Sequence, residues 1–434
     1  MSKSKSQEAI EREHRYGAHN YDPIPVVIER GEGVFVWDVQ GKKYYDFLSA
    51  YSALNQGHCH PKIMKAFMEQ AQKLTLTSRA FYNDCLGEFE EFITKFFGYD
   101  KVLPMNTGVE GVETALKLCR KWAYQKKGIL ADKAKIIVCG GNFHGRTITV
   151  VGFSCDADAK NDFGPYTQGF ISIPYNNIDA LEKAIEDANV AGFLVEPIQG
   201  EAGVIVPDEG YIAKAYKLCK AKNVLFIADE IQTGLGRTGK MLCCDHENVH
   251  PHILILGKAL SGGTIPVSAV LADDEIMLCI KPGEHGSTYG GNPLAAKVSI
   301  AALEVLRDEH LPENAERLGK ILLNELKSIK HDMIQLVRGK GLFCAMVIKA
   351  PPPPKGGSSR VTSLSAESPS FGGGGEASPS GGRGAIDVCL ALKENGLLAK
   401  PTHKDIIRFA PPLIITEEQL MECIGIIKRT IASF

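Results

Sequence analysis

Three short stretches of the chain put reactive side chains where a buried strand would end or a helix begin. Val224-Leu225-Phe226-Ile227-Ala228 runs straight into Asp229-Glu230, and Ile253-Leu254-Ile255-Leu256 runs into Gly257-Lys258. A carboxylate at the end of an apolar strand needs a partner, because burying it alone is costly. A lysine in the same kind of place loses water, which lowers its pKa and frees the amine as a nucleophile. The third stretch, Pro104 to Val109, sets Asn106-Thr107-Gly108 just ahead of a helical pattern. A polar, glycine-containing turn there offers free N–H groups and the positive end of a helix dipole, which suits a phosphate. Each feature also has an ordinary structural use. Asp229 and Lys258 could neutralise each other, and many helices open on such a turn to satisfy their own caps.

Together the three supply an amine nucleophile, a buried acid and a phosphate cradle. Pyridoxal 5′-phosphate needs that set: a lysine for its aldehyde, an acid for its pyridine nitrogen and a helix end for its phosphate. Two other patterns compete. Gly234-Leu235-Gly236-Arg237-Thr238-Gly239-Lys240 fits seven positions of a P-loop, with Asp229-Glu230 posing as its acidic partner. The eighth position should be Ser or Thr to hold Mg²⁺, and it is Met241. His58-Cys59-His60 and His246, His250 and His252 lack zinc spacing and lie beside turn residues, so no metal site is expected.

The elements that must carry these side chains read as an α/β pattern. Strand-like apolar runs occur at Ile136–Cys139, Ile171–Pro174, Ala191–Val195, Val224–Ala228 and Ile253–Leu256. Helical patterns separate them; in Val109 to Ala123, the positions Val109, Val112, Leu116, Cys119 and Ala123 mark one face. Continuous apolar strands between helices predict a mainly parallel sheet covered on both faces, with ligands at the carboxyl ends of its strands. From Pro351 to Gly384, 23 of 34 residues are Gly, Ser or Pro. That composition predicts a disordered surface insertion between a strand at 342–348 and a helix at 385–392.

The 434 residues carry Lys+Arg 49 against Asp+Glu 51, so no excess charge points to nucleic acid. No apolar run is long enough to span a bilayer. The start of the chain has no apolar core of a secretory signal. The 12 cysteines are scattered without a CxxC pair, which predicts reduced thiols and a cytoplasmic protein.

Phe226-Ile227-Ala228-Asp229-Glu230-Ile231-Gln232-Thr233-Gly234 and Leu256-Gly257-Lys258-Ala259-Leu260-Ser261-Gly262-Gly263 resemble the signature of the class III aminotransferases. So do Glu196-Pro197-Ile198-Gln199-Gly200-Glu201, Gly286-Ser287-Thr288-Tyr289-Gly290-Gly291-Asn292-Pro293 and the stretch from Leu398 to Pro412. The likeness runs from about Glu11 to the C-terminus, broken only by the Pro/Gly/Ser insertion. It implies fold type I of the pyridoxal-phosphate enzymes, with a large domain at 58–311 and a smaller α/β domain. The smaller one would combine the N-terminal segment 1–57 with residues 312–434. It also implies a homodimer with active sites at the interface.

The resemblance assigns roles residue by residue. Lys258 would bond the cofactor and move the proton, Asp229 hold the pyridine nitrogen, Gln232 the phenolic oxygen, and Phe143 stack on the ring. Gly108, Val109, Ser287 and Thr288 would hold the phosphate, with Thr288 arriving from the partner subunit. Tyr21 and Arg146 would bind the far end of the donor. Arg408 would bind the carboxylate of glutamate or 2-oxoglutarate, neutralised in the other half-reaction by Glu201. Tyr51 stands where relatives carry a smaller residue. The implied reaction moves the δ-amino group of L-ornithine to 2-oxoglutarate, in ping-pong order. Another donor, 4-aminobutyrate or N-acetylornithine, is the alternative within the family, and a non-catalytic cofactor-binding protein the alternative outside it. His144 departs from the bulky aromatic that relatives often carry; it is expected beside the stacking ring or the substrate mouth, with no catalytic role.

Overall fold

The computed structural model describes residues 3–349 and 384–434. The stretch read as a disordered insertion lies outside the described residues, apart from its last residue, Gly384. Fifteen strands build three sheets among the described residues. In chain order they are β1 Ile28–Glu32, β2 Phe35–Asp38, β3 Lys43–Asp46, β4 Lys101–Met105, β5 Lys135–Cys139, β6 Phe170–Ile173, β7 Val190–Val195 and β8 Leu225–Asp229. They continue with β9 Ile253–Leu256, β10 Ser268–Ala272, β11 Ile334–Lys340, β12 Phe343–Ile348, β13 Leu397–Leu398, β14 Lys400–Thr402 and β15 Ile406–Phe409.

The central sheet has seven strands in the order β4-β10-β9-β8-β7-β5-β6. β9, β8, β7, β5 and β6 are parallel, as their continuous apolar runs predict. All five predicted strands are present within a residue or so. The exception to the parallel pattern is β10, which runs antiparallel to both β9 and β4. Its side chains are buried along its whole length, so it reads no differently from its neighbours in sequence.

Helices cover both faces of this sheet. On one face Ile136, Leu194, Ile227 and Ile255 pack with Val112, Leu116 and Cys119 of the helix Gly108–Trp122. On the other, Ile137, Phe193 and Phe226 pack with Ile212 and Ala215 of the helix Tyr211–Ala221. Neighbouring strand residues alternate between the two cores, as the pleat requires.

The other two sheets lie outside this layer. One has the order β1-β2-β3-β13, so three N-terminal strands take their fourth from residues 397–398. The other, β11-β12-β15-β14, is antiparallel and carries Arg408 in β15, opposite Ala345 on one side and Lys400 on the other. Among the described residues no helix is long and apolar enough to cross a membrane.

The glycine-rich run 234–240 is not a phosphate loop. It forms a turn buried up to Gly239, and no long helix follows it. Arg237 has no exposed surface, and its guanidinium donates to the carbonyls of Leu342 and Pro411 and to Asn55 Oδ1.

Candidate active site

β8 and β9 are parallel neighbours, so Asp229 and Lys258 emerge from the same edge of the sheet. Lys258 opens a single tight turn, Lys258–Ser261, with its backbone at φ +44°. Burial pushes its pKa down, while Glu201 and Asp229 pull it back up. The helix Gly108–Trp122 begins beside it. Thr107 caps that helix, accepting from the Glu110 N–H at 3.3 Å, while the Glu110 carboxylate accepts from the Thr107 N–H at 2.7 Å. A cavity of about 340 Å³ is lined by Lys258, Asn106, Thr107, Gly108 and Thr264, among others.

Asp229 is 4% exposed and meets His144, whose Nδ1 lies 2.7 Å from its Oδ2. The other carboxylate oxygen accepts from the Ile231 N–H at 3.1 Å. His144 therefore sits under the acid rather than at the stacking ring or the substrate mouth. Burial alone would lower its pKa, but the Asp229 carboxylate raises it above the ordinary value. Glu196 completes this buried group. Its pKa is pushed up to about 7 by burial, with His144 opposing and Asp229 adding to the rise. It accepts from the Phe143 N–H at 2.9 Å and thereby fixes the loop that carries both Phe143 and His144.

Two glycines make the close approaches possible. Gly145 has φ +125°, and a Cβ there would come within 2.5 Å of the Val109 side chain, so the Phe143–Arg146 turn can lie against the helix start. A Cβ on Gly200 would fall 1.5 Å from Gln232 Oε1. Gln232 uses that space. Its amide donates to Glu201 Oε1 at 3.2 Å and to the Tyr51 carbonyl at 3.3 Å. Its Oε1 is buried with no protein partner.

Across the site, Arg408 donates to Glu201 Oε1 at 2.7 Å, and the two side chains are 3% and 17% exposed. Burial opposes ionisation of Glu201, but Arg408 and Lys258 outweigh it and hold its pKa at about 2. The Tyr51 ring lies 5.1 Å from the Arg408 guanidinium. This combination of a lysine, a buried acid, a helix start and a paired arginine suits an amine transfer between carboxylate-bearing substrates.

The family Aminotransferase class-III matches residues 16–431. This chain belongs to the class III aminotransferases. It is 58% identical over 430 residues to the mitochondrial ornithine aminotransferase of Drosophila melanogaster, covering 99% of this chain and 93% of that protein. The ornithine aminotransferase of Toxoplasma gondii matches its structure with TM-score 0.90 and 45% identity over 100% of this chain and 96% of that one. An acetylornithine aminotransferase from Elizabethkingia anophelis matches at TM-score 0.85 and 55% identity, covering both chains fully.

As a class III aminotransferase the chain uses pyridoxal 5′-phosphate. The residues present fit that group: an amine at Lys258, a carboxylate at Asp229, an amide donor on Gln232 and a capped helix start at Gly108. Among the described residues no group of three or more His, Cys, Asp or Glu could hold a metal ion.

The structure brings Lys258, Asp229, Gln232, Glu201, Arg408, Tyr51, Gly108, Val109 and Phe143 into one region. Arg146 is exposed, with its guanidinium 5.5 Å from the Phe143 ring. Ser287 joins through its hydroxyl, which accepts from Asn106 Nδ2 at 2.8 Å. Thr288 is exposed, and so is Tyr21, which contacts Lys400 across 5.8 Å. Thr288 is not drawn into the site within the single chain, whereas Tyr21 stands near Tyr51, whose pKa is raised by burial with Glu201 and Tyr21 adding to the rise. Sequence reasoning passed over Glu196 and the His144–Asp229 pair. The signal for Glu196 was available, since it stands directly after β7 as Asp229 ends β8.

Proposed function

We propose that the chain is an ornithine δ-aminotransferase, giving glutamate 5-semialdehyde, which cyclises to pyrroline-5-carboxylate, and L-glutamate. The observation that carries this reading is the buried Arg408–Glu201 pair beneath Tyr51, facing Lys258. One site has to accept a cationic diamine and then a dicarboxylate. A bare Arg408 would repel the first, and a permanently neutralised one could not bind the second. Glu201 resolves this by covering the guanidinium for ornithine and yielding to the incoming carboxylate in the second half-reaction. The planar guanidinium then grips that carboxylate with two hydrogen bonds.

When bound, pyridoxal phosphate draws electrons from the carbon bearing the amine and stores the amino group between half-reactions. The protein's residues do the rest. Asp229, oriented by His144, keeps a proton on the pyridine nitrogen. Gln232 would hold the phenolic oxygen by donating from its amide Nε2, which in the structure donates to Glu201 and to the Tyr51 carbonyl. Lys258, desolvated and so reactive when unprotonated, takes the proton from the substrate carbon and returns it at the next position. Gly108, Val109 and Ser287 would hold the phosphate, joined by Thr288 from the second copy of the chain, Phe143 would cover the ring, and Tyr21 with Arg146 would receive the α-carboxylate end of ornithine.

Thr288 is exposed here, which supports a homodimer whose second chain closes each site. The large exposed aromatics Phe81, Tyr82 and Tyr289 support the same reading. We likewise propose the division into a large domain at 58–311 and a small one joining 1–57 to 312–434; the β3–β13 pairing supports it. The cytoplasmic assignment rests on twelve free cysteines, while the Drosophila relative is named mitochondrial, a compartment that fluorescent tagging would distinguish.

The deciding assay measures pyrroline-5-carboxylate from ornithine and 2-oxoglutarate, with 4-aminobutyrate and N-acetylornithine as competing donors. N-Acetylornithine has a specific claim, given the Elizabethkingia structure. A yellow, cofactor-loaded protein inert toward ornithine would overturn the proposal.

A further inference from the structure

Tyr51 reaches Arg408 from an unusual piece of backbone. Ser49, Ala50, Tyr51 and Ser52 all have positive φ, at +49°, +46°, +61° and +71°. None is glycine, and a run of L-residues in this conformation crowds each Cβ against the following carbonyl. Such a turn persists only where its surroundings over-determine it.

The surroundings here are specific. Asp46 is 8% exposed, and its Oδ1 accepts from the N–H groups of Leu48 at 2.9 Å and Ser49 at 2.8 Å. Its Oδ2 lies 2.8 Å from His58 Nε2. Ser49 is fully buried, and its hydroxyl donates to the carbonyl of Ala410 at 2.7 Å. Ala410 lies two residues beyond Arg408 and donates its own N–H to the Phe47 carbonyl at 2.8 Å. On the far side of the turn, the Leu413 N–H donates to the Asn55 carbonyl at 2.8 Å. The turn is thus hung at both ends from the strand exit that carries Arg408. Its middle is touched by Gln232, whose amide donates to the Tyr51 carbonyl.

We propose that Ser49 and Asp46 are positioning residues that clamp this left-handed turn and so hold the Tyr51 ring across Arg408, setting donor selectivity. The inference rests on the reading of Tyr51 and Arg408 as the selecting pair. The backbone direction at Tyr51, and therefore the direction of its ring, follows from the clamp. Without the clamp the turn relaxes toward ordinary backbone conformations, the ring swings off the guanidinium, and the donor channel widens. Ornithine then loses its advantage over a smaller ω-amino acid, while the cofactor residues on the central sheet stay where they are.

The test uses the cofactor-loaded enzyme and two variants, Ser49→Ala and Ser49→Gly. Both delete the hydroxyl; the glycine variant also accepts a positive φ without strain, so it folds even where the alanine variant does not. The expected result is an ornithine KM raised about fivefold to tenfold, in line with one lost buried hydrogen bond, with kcat within about twofold. The ornithine to 4-aminobutyrate ratio of kcat/KM falls by about tenfold. The cofactor spectrum and melting temperature of the glycine variant stay close to wild type. Unchanged KM and ratio in both variants would overturn the proposal. So would a uniform loss of kcat, cofactor and stability, which marks a merely structural role. If wild type makes no pyrroline-5-carboxylate, the functional reading fails and takes this one with it; if only the Ser49 variants behave as wild type, the positioning role alone fails.

Discussion

Removing the Glu201 carboxylate should turn the site from one that alternates between two substrates into one that favours dicarboxylates. The strength of its hold on Arg408 follows from its titration. An ordinary glutamate side chain titrates at 4.5, and Glu201 is held at about 2 even though burial works the other way. A shift of that size corresponds to about 3 kcal/mol of preference for the ionised form, with Arg408 the leading favourable cause and Lys258 next. A substrate carboxylate that displaces Glu201 has to match that interaction before it gains anything.

In Glu201→Ala the guanidinium stands unopposed, 3% exposed, with its Nε already lacking a partner. Glutamate binding should then improve by up to on the order of a hundredfold, since about 1.4 kcal/mol is a factor of ten. Ornithine should gain nothing and bind more weakly, because two like charges now share a dry pocket. Stopped-flow half-reactions, each amino donor mixed with the cofactor-loaded enzyme alone, separate the two effects. The glutamate rate at low concentration should rise while the ornithine rate holds or falls. Equal losses for both donors would mean that Glu201 only supports the fold, and the switching role would be refuted.

Four further outcomes follow from the same geometry. Lys258→Ala should abolish turnover and the visible absorbance of the lysine-bound cofactor; retained turnover would show that another base moves the proton. Gly200→Ala puts a methyl where Gln232 Oε1 now lies, so Gln232 must leave Glu201, and the cofactor retained after gel filtration should drop several-fold. Ala50→Gly should leave the apoenzyme as stable or up to about 1 kcal/mol more stable, because relief of about 1–2 kcal/mol of left-handed strain exceeds the extra chain entropy; a clear fall in melting temperature would refute the strain. For His144, whose pKa is raised in the fold by Asp229, the stabilisation is fully present below about pH 6.5 and fades as pH rises through the higher folded value. The melting-temperature deficit of apo His144→Phe should accordingly be larger at pH 6 than at pH 9, and a deficit independent of pH would count against a charged pair.

What could be read without coordinates divides along physical lines. Asp229 and Lys258 were legible because each ends a continuous apolar run, and buried parallel strands announce both their location and their active end. The start of the helix at Gly108 was legible for a similar local reason, the polar, glycine-containing turn Asn106-Thr107-Gly108 ahead of a helical pattern, while the reciprocal Thr107–Glu110 cap emerged only in the structure. The His144–Asp229 contact had no such trace. Its partners are 85 residues apart, and His144 sits in an irregular loop where no periodicity speaks. The Arg408–Glu201 pair spans 207 residues and was reached only through the family resemblance.

The left-handed turn at Ser49–Ser52 was hidden for the opposite reason, because local chemistry points the wrong way. Positive φ is normally announced by glycine or asparagine, and Ser-Ala-Tyr-Ser contains neither. Its conformation is imposed by Asp46, Ala410 and the strand exit beyond Arg408, groups that meet only when both ends of the chain come together. A site chosen for the reach of one tyrosine accepts a backbone that its own residues disfavour. That is why the clamp, rather than the tyrosine, is where a change in donor preference could arise without altering any residue that touches the substrate.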